Sequence, residues 1–431
     1  MKRTALVLAV ALALAGCSSG GDTDKIAAAG QEASGTVEFW HFFTGRESEA
    51  IAAAVKDFQT THPKIKVEVK DSQDDSKMVQ AIAGGKGPDI GLSYSTDMVG
   101  KLCASGAWRD LSPYIARDKV DMGGYPDLVK QYTEYRGKRC AMPFLADSYG
   151  LYVNKTQFAE AGITSVPKTL AELSDAAKKL TKRSADGTIE RAGFLPLFGF
   201  YENSASHWGP MVGGKWLKSD ETSAIGTDPA WKELLKWQKE LVDWYGYANL
   251  EKFKASLGDE FSADNAFHKG QVSMNVDGEF RAAFLKDQAP DVKFGVAPLP
   301  TLTAERHGAG YVTGNVIGVS KTAKNPEAAW ELIRYLTNDT KAIVGLSNSL
   351  RNIPSTKAAL AAPDLQLDAE FKVFVDMFNN PNSSTTPPTA SGPAYQETFA
   401  KWLEEWQAGK ATEAGLAEVD KQVNAVMKLG G

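Results

Sequence analysis

Residues 139–155 read Arg-Cys-Ala-Met-Pro-Phe-Leu-Ala-Asp-Ser-Tyr-Gly-Leu-Tyr-Val-Asn-Lys, and this stretch decides the fold. Pro143 fixes its own φ and cannot donate to a sheet ladder. After the polar pair Asp147-Ser148, residues 149–153 have the pattern of a strand that ends at the turn signal Asn154-Lys155. We interpret the stretch as the chain leaving one globular lobe and entering another. Asp147 at the crossing is either a strand-end cap or a binding residue in a cleft between lobes, where ligand sites are favoured.

The first 16 residues have the features of an export signal. Lys2-Arg3 is a positive n-region, and residues 4–15 are apolar but too short to span a bilayer. Leu14-Ala15-Gly16-Cys17 matches the bacterial lipobox, in which the cysteine thiol receives diacylglycerol, so Cys17 is the predicted lipidation site. The alternative is an ordinary secretory signal with an incidental cysteine. The lipobox predicts a protein anchored by lipid on the extracellular face of the cytoplasmic membrane.

Residues 17–35 are rich in Ser, Gly, Ala and Asp, which predicts a flexible tether. The remaining length is enough for two lobes with separate cores. The whole chain carries a net charge of −5, and loss of Lys2 and Arg3 with the signal makes the mature chain more acidic. The sequence has no run of basic residues, so we do not expect nucleic acid as a partner. We expect a monomer.

The cysteine count predicts a disulfide. The chain contains 3 cysteines, namely Cys17, Cys103 and Cys140. If Cys17 carries lipid, two remain in an exported protein, which favours a Cys103–Cys140 bond. The alternative is two buried free thiols.

The first lobe shows alternating strand and helix patterns, which argue for a mostly parallel sheet flanked by helices. Ligands of such sheets bind beyond the carboxyl ends of the strands. Three groups lie at those ends: Trp40-His41, then Tyr94 with Asp97, and Asp147. Further candidate crossings follow at residues 293–300 and 351–354. They predict one lobe of residues 36–145 plus 303–355 and a second of residues 146–302 plus 356–431.

At this point the order of signals resembles the extracellular solute-binding proteins of ABC importers, in the family that contains the maltose/maltodextrin-binding proteins. Each motif alone is weak, but their order over nearly the whole chain is specific. The residues that carry the resemblance are the lipobox, Val37-Glu38-Phe39-Trp40, Gly87-Pro88-Asp89-Ile90, Asp110-Leu111-Ser112-Pro113, Pro143-Phe144, residues 150–155, Pro167-Lys168-Thr169, Asp277-Gly278, Pro298-Leu299-Pro300 and residues 320–336.

The resemblance implies an α/β, two-lobe, periplasmic-binding-protein-like fold of type II with the ligand in the interlobe cleft. It implies capture of a sugar by hinge closure and delivery to the permease subunits of an ABC transporter. Aromatic rings stack on sugar C–H faces, and carboxylates and amides bond sugar hydroxyls. The residues implied as the sugar site are Trp40, His41, Tyr94, Asp97, Asp147, Trp208, Asp277, Phe280, Asn315 and Tyr395.

Two other classes compete with a binding protein. A secreted glycoside hydrolase would use a pair of carboxylates, for which Asp97 and Asp147 are the candidates. A surface adhesion lipoprotein would lack a deep cleft. The 5 histidines show no metal-ligand spacing, and Lys86 in Gly84-Gly85-Lys86-Gly87 is followed by Gly rather than Ser or Thr. We therefore expect no metal, no cofactor and no enzymatic activity.

Overall fold

The computed structural model describes residues 26–430. The predicted signal peptide of residues 1–16, the lipidation site Cys17 and the tether up to residue 25 lie outside the described residues. The later part of the predicted tether is in contact with the body. The backbone N–H of Ala27 donates to Glu327 at 2.6 Å, and Glu32 pairs with Lys64 at 2.5 Å. Contact with the body therefore begins earlier than the tether prediction placed it, because polar groups of the body hold these residues.

Strands alternate with helices along most of the described chain. The strands are β1 Gly35–Trp40, β2 Ile65–Lys70, β3 Ile90–Ser93, β4 Met142–Asn154, β5 Lys182–Arg183, β6 Ile189–Phe194, β7 Val272–Gly278, β8 Phe294–Pro298, β9 Val312–Val319 and β10 Ile353–Pro354.

The helices follow the same chain order. They are α1 Gly45–Thr61, α2 Asp75–Ala83, α3 Met98–Ala104, α4 Ser112–Arg117, α5 Asp127–Tyr132, α6 Lys155–Glu160, α7 Leu170–Leu180, α8 Ala205–Val212, α9 Pro229–Tyr245, α10 Tyr247–Lys254, α11 Arg281–Gln288, α12 Pro326–Asn338, α13 Thr340–Leu350, α14 Lys357–Leu360, α15 Ala369–Phe378, α16 Ala394–Gln407 and α17 Leu416–Gly430.

Strand β4 passes through both halves of the sheet, and it begins earlier than the strand predicted over residues 149–153, which it includes. Its first part, Met142–Ser148, pairs with β9, and its second part, Tyr149–Val153, pairs with β7. The strand order is β2-β1-β3-β9-β4-β7-β6-β5, with β8 and β10 also paired to β4. We call β1, β2, β3, β9, β10 and the first part of β4 the first half-sheet. The second half-sheet is β5, β6, β7, β8 and the rest of β4.

The prediction of a mostly parallel sheet is wrong in detail, although the α/β fold class is confirmed. Strand β1 runs parallel to β2 and β3, and β6 runs parallel to β7. Strand β9 is antiparallel to β3 and β4, and β4 is antiparallel to β7, β8 and β10. The physical reason is that β9 returns the chain from the second half-sheet, so it enters the first half-sheet against the direction of β4.

The buried side chains form two clusters, one on each half-sheet. The first contains Phe39 and Trp330, and the second contains Trp208 and Trp231. Helix α15 packs its Phe374 into the first cluster, although residues 356–431 were predicted in the second lobe. The reason is that α15 contacts β4 and β8 near the centre of the sheet. The lobe boundaries themselves stay predictions.

A disulfide joins Cys103 of α3 to Cys140, which precedes β4, with their Cα atoms 5.4 Å apart. The bond fixes the entry of the crossing strand to the helix that follows β3. None of the helices within residues 26–430 is both long and apolar enough to cross a bilayer.

Candidate functional site

Asp147 lies in the middle of β4, where the strand passes between the half-sheets, and its carboxyl group shares a hydrogen bond with Glu279, the residue after β7. The amide of Asn352, just before β10, donates to Asp147 and, at 3.2 Å, to Glu279. Asn315 of β9 donates to Asp147 at 3.5 Å, and the backbone N–H of Ser148 donates to Glu279 at 3.0 Å. Segments from both half-sheets therefore meet at one carboxyl pair.

This pair holds a proton more tightly than ordinary carboxylates do. Burial raises the pKa of Asp147, and burial together with the neighbouring Asp147 raises that of Glu279 well above its usual range. Two adjacent carboxyls cannot both ionise without strong repulsion. With one proton between them, the pair both donates and accepts hydrogen bonds, which is what a sugar hydroxyl does.

A second group of acidic side chains surrounds the buried Arg281. The guanidinium pairs with Asp277 at 2.7 Å and reaches Glu260 at 3.4 Å. Glu260 is hydrogen-bonded to Glu202, and burial raises the pKa of Glu260 to about 8. The predicted site residue Asp277 is therefore engaged in an ion pair inside the protein.

Three aromatic rings, those of Tyr149, His207 and Tyr311, pack against one another. Tyr149 of β4 stacks on His207 of α8 with ring centroids 3.8 Å apart, and His207 lies 5.2 Å from Tyr311. Burial lowers the pKa of His207 to about 4, so its ring is neutral at physiological pH. Burial, and then the negative charges of Glu202 and Asp147, raise the pKa of Tyr149 well above its usual range. Because side chains two residues apart on a strand share a face, Tyr149 lies on the same face of β4 as Asp147.

Asp97 and Tyr395 come together in a separate polar group. The hydroxyl of Thr386 donates to Asp97 at 2.6 Å, and burial raises the pKa of Asp97. Gln396 lies beside Asp97 and donates to the Tyr395 hydroxyl at 2.8 Å. Thr386 also lies 3.3 Å from the hydroxyl of Tyr311, which connects this group to the aromatic rings.

Tyr94 is the predicted site residue with the largest free ring surface. Its side chain is 53% exposed, and its edge contacts Phe42 with ring centroids 5.6 Å apart. It follows β3 directly, as the sequence indicates. An exposed ring beside polar groups is suited to stacking on an apolar sugar face.

Trp40 and His41 are packed into the first half-sheet. The indole of Trp40 donates to Glu38 at 2.5 Å, and Lys70 lies over its ring at 5.5 Å. His41 is fully buried beside Phe39, and burial lowers its pKa to about 4. Within residues 26–430, no hydrogen bond or ring contact joins either side chain to Asp147 or Asp97.

Trp208 and Phe280 differ in exposure. Trp208 is fully buried in the second cluster, where its indole donates to Asn203 at 2.7 Å. Its neighbour His207 faces the aromatic rings instead. Phe280 is half-buried and lies 6.2 Å from the exposed ring of Phe261.

Sequence reasoning missed several residues of this site. All are polar or aromatic residues, and all except the partly buried Glu202 are buried. Glu279 directly follows Asp277-Gly278, and Asn352 lies in the third crossing. The missed residues are Glu202, His207, Glu279, Tyr311 and Asn352. Within residues 26–430, no three His, Cys, Asp or Glu side chains are arranged to hold a metal ion.

Comparison with known proteins identifies relatives over most of the chain. A maltotriose-binding protein of Pyrococcus abyssi (strain GE5 / Orsay) is 24% identical over 342 residues, which cover 78% of this chain and 70% of that protein. A maltooligosaccharide ABC transporter solute-binding lipoprotein of Streptococcus pneumoniae serotype 4 is 25% identical over 69% of this chain and 66% of its own.

Solved structures extend the similarity to nearly the whole fold. CpMnBP1 with mannotriose bound superposes with a TM-score of 0.82 at 26% identity and covers 90% of this chain and 99% of that one. Residues 53–373 match the family model described as bacterial extracellular solute-binding protein. Because that match spans most of the sequence, the chain belongs to the family of bacterial extracellular solute-binding proteins.

Proposed function

We propose that this protein is the substrate-binding component of an ABC transporter. It captures an oligosaccharide between the two half-sheets outside the cell and delivers it to the membrane permease. The relatives named above bind maltotriose, maltooligosaccharides and mannotriose, and they support a carbohydrate ligand. The lipobox at Cys17 supports a lipid anchor on the outer face of the cytoplasmic membrane.

The observation that carries this proposal is the buried carboxyl pair of Asp147 and Glu279, held by Asn352 beside the stacked Tyr149 and His207 rings. Carboxyls that both donate and accept match sugar hydroxyls, and neutral rings match sugar C–H faces. We propose that Tyr94, Asp97 and the carboxyl pair, which lie on different segments of the chain, line one cleft between the half-sheets. A ligand that touches them together gains contacts only when the halves close, and this differential affinity favours the closed state.

Binding is favoured over glycoside hydrolysis. Hydrolysis with Asp97 and Asp147 requires two carboxyls that flank a scissile bond. Here the carboxyl beside Asp147 is Glu279, to which it is hydrogen-bonded, and not Asp97, and the relatives named above are binding proteins. We therefore propose a protein without catalytic activity. Incubation with oligosaccharides should release no reducing sugar beyond a protein-free control.

The test is calorimetry with maltotriose, mannotriose and galactotriose titrated into the mature protein. We expect one of them to bind, and Asp147→Asn to weaken it ten- to hundredfold, because a charged acceptor contributes about 1.5–3 kcal/mol. The matched control is Asp376→Asn, an exposed aspartate on α15 that pairs with Lys372. Absence of binding by all three sugars would contradict the proposed ligand class. Equal affinities of wild type and Asp147→Asn for the sugar would show that the binding site lies elsewhere.

A further inference from the structure

A cavity of about 500 Å³ opens beside the candidate site and is lined from both half-sheets. On one side stand Tyr135 and Arg136, in the turn before β4. On the other stand the loop of residues 213–218, Glu221 and Arg306. Residues 384–390 form the wall next to the candidate site, where Thr386 turns toward Asp97 while Thr385 lines the cavity. The cavity and the candidate site therefore share residues 384–390.

The charged residues that line this cavity are mostly cations. Arg136, Lys215, Lys218 and Arg306 face a single carboxylate, that of Glu221. Arg306 is half-buried, and its guanidinium donates to the carbonyl oxygen of Met211 at 3.5 Å. Within residues 26–430 it has no acidic partner. A half-buried cation without an acid beside it is a ready partner for an anion from outside.

Two uncharged donors belong to residues of the wall, but neither atom is exposed to the cavity. Trp216 is buried, and its indole N–H has no hydrogen-bond partner among the described residues. The hydroxyl of Thr385 is likewise buried and unpartnered. The charged side chains of the lining therefore decide the ligand chemistry, and Trp216 contributes its ring.

Two of the lining residues, one on each of two turns, form an exposed ion pair. Arg136 pairs with Glu221 at 3.3 Å. Both residues adopt left-handed backbone conformations, with φ of +48° and +61° respectively. Such conformations are costly for residues other than glycine and cluster at functional sites. An anion inside the cavity would compete with Glu221 for the guanidinium of Arg136.

We propose that this cavity is an anion-accepting subsite and that it takes a carboxylate-bearing sugar unit, a uronic acid, of the captured oligosaccharide. The subsite rests on the proposed function, because it extends the same cleft. The planar carboxylate matches the forked donors of Arg136 and Arg306. The rings of Tyr135 and Trp216 supply the apolar surface that a sugar face needs.

The test compares each of maltotriose, mannotriose and galactotriose with the same trisaccharide oxidised to a uronate at its terminal C6. For the backbone that binds, we expect the uronate to bind at least tenfold more tightly than the neutral sugar at low salt. We expect this ratio to fall as salt is raised, because screening weakens charge pairing. Binding of a neutral sugar without preference for its uronate overturns the subsite and leaves the proposed function standing. Failure of all six sugars overturns both.

Variants separate an anion contact from a structural ion pair. Arg136→Gln and Arg306→Gln should each lower the uronate-to-neutral affinity ratio several-fold, whereas Glu221→Gln should raise it by removing the competing carboxylate. A purely structural role predicts that Arg136→Gln and Glu221→Gln shift both sugars equally and leave the ratio unchanged, which would overturn the subsite. The matched control is Lys178→Gln, an exposed cation on α7, which should leave the ratio at its wild-type value.

Discussion

The chemistry of the site depends on single side chains that act on more than one neighbour. Asn352 donates to both Asp147 and Glu279, so its loss leaves two buried carboxyls without their shared amide. Arg281 likewise holds Asp277 and Glu260. Since buried acidic groups are costly unless they are paired or protonated, the stability of this region depends on pH.

We predict that the free energy of unfolding falls as pH rises from about 7 to 8. Burial raises the pKa of Glu47 to about 7 and that of Glu260 to about 8, from 4.5. The folded state therefore binds more protons than the unfolded state across this window, and stability is lost as pH rises through the folded pKa values. Below this window His41 and His207, whose pKa burial lowers to about 4, have the opposite effect. Urea titrations at pH 7 and pH 8 measure the difference.

Glu260→Gln should flatten this pH dependence between pH 7 and 8, because glutamine does not ionise. The control is Glu190→Gln, an exposed glutamate on β6, which should keep the wild-type slope. A stability that rises with pH over the same window would contradict the assignment.

At the residue scale, the sequence predicted Asp147 but not its partner. Asp147 follows from one local stretch, whereas Glu279 lies 131 residues beyond Ser148, to which it is bonded, and only the fold brings the two together. Aromatic residues at strand ends were a weaker guide to the candidate site. Trp208 and His207 are neighbours in sequence, and helix geometry alone decides that the first is core and the second faces Tyr149.

At the element scale, the crossing strands approach so closely that one position must be glycine. Gly314 of β9 lies opposite Ala146 of β4. A β-carbon there would lie 2.8 Å from the Cα of Ala146 and even closer to the carbonyl oxygen of Leu145. The order of strands along the chain was predictable from alternating patterns. The direction of each strand in the sheet was not, because it depends on the half-sheet from which the chain enters.

We predict that Gly314→Ala lowers the free energy of unfolding by about 1–3 kcal/mol, the range for overpacking a tight interior, and weakens sugar binding at the adjacent Asn315. The matched control is Gly345→Ala. Gly345 lies in α13 with no atom within 4 Å of an added β-carbon, so alanine should stabilise by up to about 1 kcal/mol. Urea unfolding of both variants measures the two effects. If Gly314→Ala leaves the free energy of unfolding unchanged, β4 and β9 can move apart without loss of stability.

At the scale of the whole molecule, ion pairs join segments that are far apart in sequence at the protein surface. Arg46 of α1 pairs with Asp287 of α11 at 3.1 Å, and Arg136 pairs with Glu221. Such exposed pairs contribute little stability individually and are weakened by salt. These pairs therefore do little to fix the relative position of the halves.

We predict that the cognate sugar reduces the radius of gyration measured by small-angle X-ray scattering, because a ligand that touches both halves favours the closed state. At a sugar concentration that saturates the wild type, Asp147→Asn should contract only partly, in proportion to its lower occupancy. Asp376→Asn should contract fully. Saturating binding without contraction would contradict capture by hinge closure.

The unbroken course of β4 through both half-sheets limits how such a protein can be recombined. Because Met142–Ser148 pairs with β9 and Tyr149–Val153 with β7, no single cut in the chain separates the halves. A chimera that exchanges one half for that of a relative needs junctions inside β4, between β8 and β9, and after β10. In a hybrid protein with fewer junctions, some neighbouring strands of the sheet come from different parent proteins. Such a hybrid folds only where both parents pair these strands in the same register.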